Sequence, residues 1–330
     1  MSTDTTLMMR SSLIIPVLIA LLGLVNQSGA ATKYDTKYDI EETMNFNEAW
    51  YKANRSDEDN FRRLVEGLKK ISTGKKVIAK ATEKAAQQGH TLFDVVAIGD
   101  GSLTDTTLIR RFAASNPANV MYETRSKVYL NKHLKTLDAL LDFAHELTHY
   151  TYREPFNPYD SRFHLKDFIK STVEGRGGEV DAYMVECKVL QELLPGVGFA
   201  RSNCQKVYDQ KLGSVSKELG IQEFYKVGNH FDNLKKDLDK FAIAPGDLPQ
   251  ASNSEALFIS SAWGLPYPVA AVKEYVNIMD RVCKNDQNRI TLMQDKVGRN
   301  PASVDANKDT QDFRLMFEDF KSRCDRFVSK

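Results

Sequence analysis

Lys127–His149, KVYLNKHLKTLDALLDFAHELTH, is the stretch on which the reading of the fold turns. Leu137, Leu140, Leu141, Ala144 and then Leu147 or Thr148 recur at three and four residues, which predicts an amphipathic helix over about Thr136–Tyr152. Just before it, Lys127–Asn131 is strand-like. His145 and His149 are four residues apart, so on that helix they share one face about one turn apart, where two imidazoles can converge on one metal ion. Zinc is the metal such a pair suggests, with Glu146 beside it as a base and outside the ligand set. On a merely solvated helix the same spacing would carry no chemistry.

A catalytic zinc needs a third protein ligand and keeps a fourth position open. Glu179 is the first candidate. Gly177-Gly178 marks a helix start, and Ala182, Val185 and Val189, with Tyr183, Leu190 and Leu194, follow at helical spacing, so Glu179 lies along the apolar side. The small Ala182 would let this helix approach the histidine helix closely. A glutamate in a first helical turn is also favoured by the helix dipole with no metal at all. Glu174, which precedes Gly175-Arg176-Gly177-Gly178, and His164 are the other candidates. Asp142, one turn before His145, is either a residue that orients a ligand or a solvated helix residue.

His145-Glu146-Leu147-Thr148-His149, with a strand ending in Asn131 before it and an acidic helix after it, resembles the zincin metallopeptidases, whose signature is His-Glu-x-x-His. Glu179 followed by x-x-Ala182 is similar to the gluzincin arrangement. The resemblance is local to those three segments. It implies an α+β fold, predominantly helical, with a zincin-like core whose small β-sheet packs on the active-site helix and with additional C-terminal helices. It also implies a Zn2+ peptidase in which Glu146 takes the proton of the attacking water and a Tyr or His holds the oxyanion. Tyr150, Tyr159, Tyr183, His164 and His230 are the residues available for that last role. The substrate expected is a protein or peptide. Two other readings stand beside it: hydrolysis of cell-wall peptide amides, and a structural zinc in a helical binding protein. Glu146 argues against the last, because a structural site has no use for a base.

The rest of the chain says where such chemistry would operate. At 330 residues and 42% hydrophobic content the chain can bury a sizeable core, and its net charge of +1 gives no nucleic-acid footprint. Arg10, the apolar run Leu13–Val25 and the small residues Ser28 and Ala30 read as a signal peptide over 1–30 cleaved after Ala30, leaving no stable membrane span and a secreted or periplasmic protein. All four cysteines, Cys187, Cys204, Cys283 and Cys324, lie in the C-terminal half. For an exported chain they suggest two disulfides, and of the three pairings we favour Cys187 with Cys204 and Cys283 with Cys324; buried free thiols are the alternative.

The organisation expected is an N-terminal helical segment over 31–90, a catalytic core over 91–195 and a C-terminal helical region over 196–330. Within it, helices are read over Glu41–Ile71, Lys75–Gln88, Gln222–Phe241, Ala270–Asn285 and Thr310–Val328, and strands over Leu92–Ile98, Val120–Tyr122 and Val128–Leu130. The strand Val128–Asn131 is the one placed to receive an extended peptide. Trp263–Pro268 reads as a rigid loop, Tyr150–Tyr159 as an aromatic loop, and Asn54-Arg55-Ser56 as a glycosylation sequon.

Overall fold

The structure, a computed structural model, describes residues 44–299 and 306–328. The leader and cleavage point read over 1–30 lie outside the described residues. The described residues form one compact unit, predominantly helical with small sheets.

Helix α1 (Asp57–Lys69) is set by its cap: the Ser56 hydroxyl accepts from Asp59 N, and Asp57, Glu58 and Asp59 fill the first turn, where negative charge suits the helix dipole. It buries Phe61, Leu64 and Leu68. The helical reading from Glu41 therefore holds only after Ser56; Met44–Arg55 forms turns and a bridge instead. Helix α2 (Ser72–Gln87) buries Val77, Ile78, Ala81 and Ala85, and its open N-terminus is capped by the Glu192 carboxylate, which accepts from Thr73 N.

The strand expected from Leu92 starts only at Val96. Thr91 and Asp94 form a capping box that holds Leu92–Val95 as one helical turn, α3, before β1 (Val96–Gly99) begins. Strands β2 (Leu103–Ala113) and β3 (Asn116–Asn131) form a long hairpin, and the two separate strands expected over Val120–Tyr122 and Val128–Leu130 are parts of this single β3. Sheet order is β1-β3-β2, with β1 parallel and β2 antiparallel to β3. Val128 is paired with Val96 on one side and with Thr104 on the other. Val128 and Tyr129 are thus paired on both sides and cannot accept a further strand; β1 and β2 are the edges.

Helix α4 (Thr136–Tyr152) packs on this sheet and on α1 and α2, burying Ala139, Leu140, Phe143, Ala144, Leu147 and Tyr150. Trp50 Nε1 donates to Asn131 O at 2.7 Å and pins the turn that leads into it. Helices α5 (Leu165–Val173), α6 (Glu179–Leu193) and α7 (Val197–Ala200) follow, and α6 lies along α4 with Ala182 fully buried. The two-residue strands β4 (Tyr208–Asp209) and β5 (Ser214–Val215) pair before α8 (Lys217–Phe224) and α9 (Phe231–Lys240). The single helix read over Gln222–Phe241 is broken between these two by Gly228, whose φ of +56° no helix can use.

The Trp263–Pro268 segment turns back as the hairpin β6 (Ile259–Ser260) and β7 (Leu265–Pro266), then enters α10 (Tyr267–Arg299), with α11 (Ala306–Val328) packed against it. Two disulfides close the C-terminal half. Cys187–Cys204 joins α6 to the turn after α7, and Cys283–Cys324 joins α10 to α11. No helix among the described residues is long and apolar enough to cross a membrane.

Candidate metal centre

His145 and His149 face α6 from the last turns of α4, and Glu179 opens α6 opposite them. The two Nε2 atoms are 3.1 Å apart, and Glu179 Oε2 lies 3.6 Å from the first and 3.5 Å from the second. A divalent ion held tetrahedrally by imidazole and carboxylate at about 2.1 Å spaces its ligand atoms about 3.4 Å apart. The three observed edges, 3.1, 3.5 and 3.6 Å, bracket that spacing, so the donors present fit one ion and leave a fourth direction free. His145, His149 and Glu179 could therefore hold a metal ion.

Each ring is turned by a partner on its other nitrogen. His149 Nδ1 lies 2.8 Å from Gly177 O, and because a carbonyl only accepts, the proton sits on Nδ1 and the Nε2 lone pair faces the cluster. His145 Nδ1 lies 3.1 Å from Glu186 Oε2, with the same consequence. Gly177 N in turn donates to Asp181 Oδ2 at 3.0 Å, and Asp181 pairs with Lys217 at 2.7 Å. Arg153 approaches the other oxygen of Glu179 at 3.9 Å, leaving Oε2 for the histidines.

The field at this point is negative. Burial works against a charged His145, but hydrogen bonds to Glu179 and Glu186 and the charges of Glu186 and Glu146 outweigh it and raise its pKa well above the ordinary histidine value. Burial likewise favours a neutral Glu179, but the pull of His149 and hydrogen bonds from both histidines hold its carboxyl well below the usual range. The same cluster of carboxylates favours a cation among them.

Glu146 is 8% exposed, does not join the three ligand atoms, and is held from the sheet side. The Thr104 hydroxyl, on edge strand β2, lies 2.7 Å from Glu146 Oε2 and 2.9 Å from Glu146 O. Tyr267, the first residue of α10, lines the cleft beside His145 and Glu186; burial and then the charges of Glu179, Glu146 and Glu186 push its pKa well above the ordinary tyrosine value. Its hydroxyl stays protonated and is a donor at neutral pH. His145, Glu186 and Tyr267 open on a cleft of about 370 Å³.

The other candidates go elsewhere. Glu174 ends α5 and accepts from the buried Tyr225 hydroxyl at 3.2 Å, away from the histidines. His164 is an exposed residue at the start of α5. Tyr150 donates to Gln88 at 3.0 Å on the far side of α4, and the Tyr159 ring lies under the Arg110 guanidinium at 3.8 Å. His230 sits in the turn before α9 and is not among the residues lining the cleft. Of the residues expected to hold an oxyanion, Tyr183 alone lines the cleft. Asp142 is largely buried and is pushed up to about 6 by burial and by the charges of Glu186 and Glu146.

Thr104, Gly177, Glu186 and Tyr267 were not singled out from sequence. Only Glu186 carried a readable signal: it lies seven residues after Glu179, two turns along the same face of α6. Against protein families, curated proteins and solved structures, the chain matches none.

Proposed function

We propose that this chain is an exported zinc metallopeptidase of the zincin kind. What supports the reading most is the convergence of His145, His149 and Glu179 within bonding distance of one point, with the Glu146 carboxylate beside them but outside the ligand set. An N2O donor set of imidazole and carboxylate suits zinc, which imposes no coordination geometry of its own. Two disulfides suit an oxidising compartment, consistent with the leader read over 1–30.

When bound, zinc supplies a Lewis acid that polarises the carbonyl and acidifies water. The protein's own residues do the rest. Glu146, fixed by Thr104, accepts a proton from the attacking water and later delivers it to the leaving nitrogen. The water oxygen bonds the carbonyl carbon, the C–N bond breaks, and an acid and an amine leave. Tyr267 is placed to donate to the carbonyl oxygen as it takes up negative charge. An extended substrate would add to edge strand β2, which carries Thr104, and not to β3.

The test is metal analysis of the purified chain together with digestion of an unfolded protein. Zinc near one equivalent and cleavage that chelator abolishes are expected. Glu146→Gln should keep the zinc and lose turnover by at least about 100-fold. Wild-type turnover in that variant would end the catalytic reading, and a chain that takes up no zinc would end the proposal as a whole.

A further inference from the structure

Helix α2 works against its own stability on its outer side. Its inner side, with Val77, Ile78, Ala81 and Ala85, is buried. On the outer side Lys75 closes a first turn that holds no acidic residue, at the positive end of the helix dipole, and Lys76 and Lys80 stand four residues apart as a like-charge pair. The neighbouring α1 does the opposite and fills its first turn with Asp57, Glu58 and Asp59. Lys69 and Lys70 end α1 just before α2 begins. From Arg63 to Glu83 the charged residues are all exposed: six cations, Arg63, Lys69, Lys70, Lys75, Lys76 and Lys80, against two carboxylates, Glu66 and Glu83. Six less two is a local charge of +4, in a chain whose total is +1. A face made only for solubility mixes the signs and follows the helix dipole.

We infer that this face docks the protein on a membrane surface rich in anionic lipid. A cluster of about four to eight cations on an amphipathic helix has the charge that such a surface attracts. Nucleic acid would ask for aromatic rings to stack bases, and among the described residues no exposed large apolar or aromatic side chain lies on α1 or α2. For the same reason the face rests on the headgroups and does not insert. The two disulfides suit an oxidising compartment, where membrane leaflets are at hand and nucleic acids are not. Docking also orients the molecule. Helices α1 and α2 meet α4 at Phe143 and Tyr150: the Phe61 and Phe143 rings are 5.7 Å apart, and Lys84 Nζ lies 5.5 Å from the Tyr150 ring. His145 follows Phe143 by two residues, about 200° round the helix. The metal centre is thus on the side of α4 turned away from the bilayer.

The test is co-sedimentation of the chain from Ala31 onward, which lacks the apolar run Leu13–Val25 and keeps the whole compact unit. It is mixed with vesicles of phosphatidylcholine alone or of phosphatidylcholine with phosphatidylglycerol. Binding to the mixed vesicles only is expected, and about 0.5 M salt should release it. Lys75→Gln combined with Lys76→Gln should weaken binding about 30-fold, since each lysine near such a surface contributes about fivefold. The urea midpoint of that variant should stay at or above the wild-type value, which a merely structural role would lower. Lys284→Gln combined with Lys321→Gln, at exposed positions of α10 and α11, should change binding less than about twofold. No binding to the mixed vesicles would overturn the inference and leave the metal centre untouched. Equal losses in the two double variants would overturn the role of this face, and binding to pure phosphatidylcholine that survives salt would overturn its electrostatic basis. Retention of duplex DNA or heparin without retention of the anionic vesicles would replace the membrane by a soluble polyanion.

Discussion

Gly177 shows how much one residue constrains the site. Its φ is +68°, and a Cβ there would come within 2.5 Å of Arg153 N, so only glycine lets its carbonyl reach His149 Nδ1. The same turn separates the two glutamates that compete in sequence for the third ligand position. Glu179→Ala should lose zinc on dialysis against a weak chelator, because it removes a direct donor. Glu174→Ala should keep zinc and lose stability, because it strands the buried Tyr225 hydroxyl. The reverse pattern of zinc content would reassign the ligand. Asp142 supplies a pH test. Its carboxyl titrates near 3.8 when unfolded and at about 6 when folded, so between those values the folded protein holds a proton that the unfolded chain has released. Stability then falls as pH rises through that window, and the full cost is present above it. At about 1.4 kcal/mol per pH unit this is about 3 kcal/mol. In chelator-treated protein, Asp142→Asn should be the more stable form at pH 7.5 and lose that advantage near pH 4, read from urea midpoints; equal midpoints at both pH values would refute it. At this scale Glu179 was legible because its phase on an amphipathic helix is local information. Gly177, Thr104 and Tyr267 were not, because each reaches the site through a contact with a distant part of the chain.

Among the elements, helices with one buried face were readable and the long hairpin was not. The outer parts of β2 and β3 are partly exposed on both faces, so Leu103–Ala113 shows no clean alternation of apolar and polar residues. The reading of Leu92–Ile98 failed for a different reason: β-branched residues promised a strand, but a capping box at Thr91 and Asp94 won the first turn. The break within Gln222–Phe241 hung on a single glycine. Cysteine parity was more informative, since both observed bridges join sequence-neighbouring segments. The Cys283–Cys324 bridge closes a 41-residue separation and Cys187–Cys204 one of 17, so loop-closure entropy assigns them about 4 and about 3 kcal/mol respectively. Replacing Cys283 and Cys324 together by Ser should lower stability more than replacing Cys187 and Cys204, measured by denaturant unfolding under non-reducing conditions. The opposite order would show that strain or residual structure outweighs loop length.

Taken whole, the molecule closes a circuit that no local pattern announces. Strand β2 leaves the site at Thr104 and helix α10 leaves it at Tyr267, and the two meet again at Arg110 and Asp286. Arg110 and Arg323 both pair with Asp286, at 2.5 and 2.8 Å, with all three side chains at most 5% exposed. Those contacts lie about 20 Å along β2 from Thr104 and about 28 Å along α10 from Tyr267. They hold hairpin, α10 and α11 in one arrangement and so fix the gap between Thr104 and Tyr267. Asp286→Asn leaves two buried guanidinium groups without their shared counter-charge and should cost about 3–5 kcal/mol in urea unfolding. A loss under about 1 kcal/mol would mean that water and Asp319, which already pairs with Arg323 at 2.7 Å, compensate for the missing charge. Sequence could show abundant charge here but not which few charges are buried, because burial is decided by three segments meeting.

That circuit also sets a clock. Synthesis delivers His145, His149 and Glu179 early and Tyr267, Asp286 and Arg323 late, so a growing chain owns its metal ligands well before it owns Tyr267 or the buried charges that hold α10 and α11 in place. On the proposed function, a half-made chain already holds its ligands and its base, and it gains the Tyr267 donor only when α10 has docked.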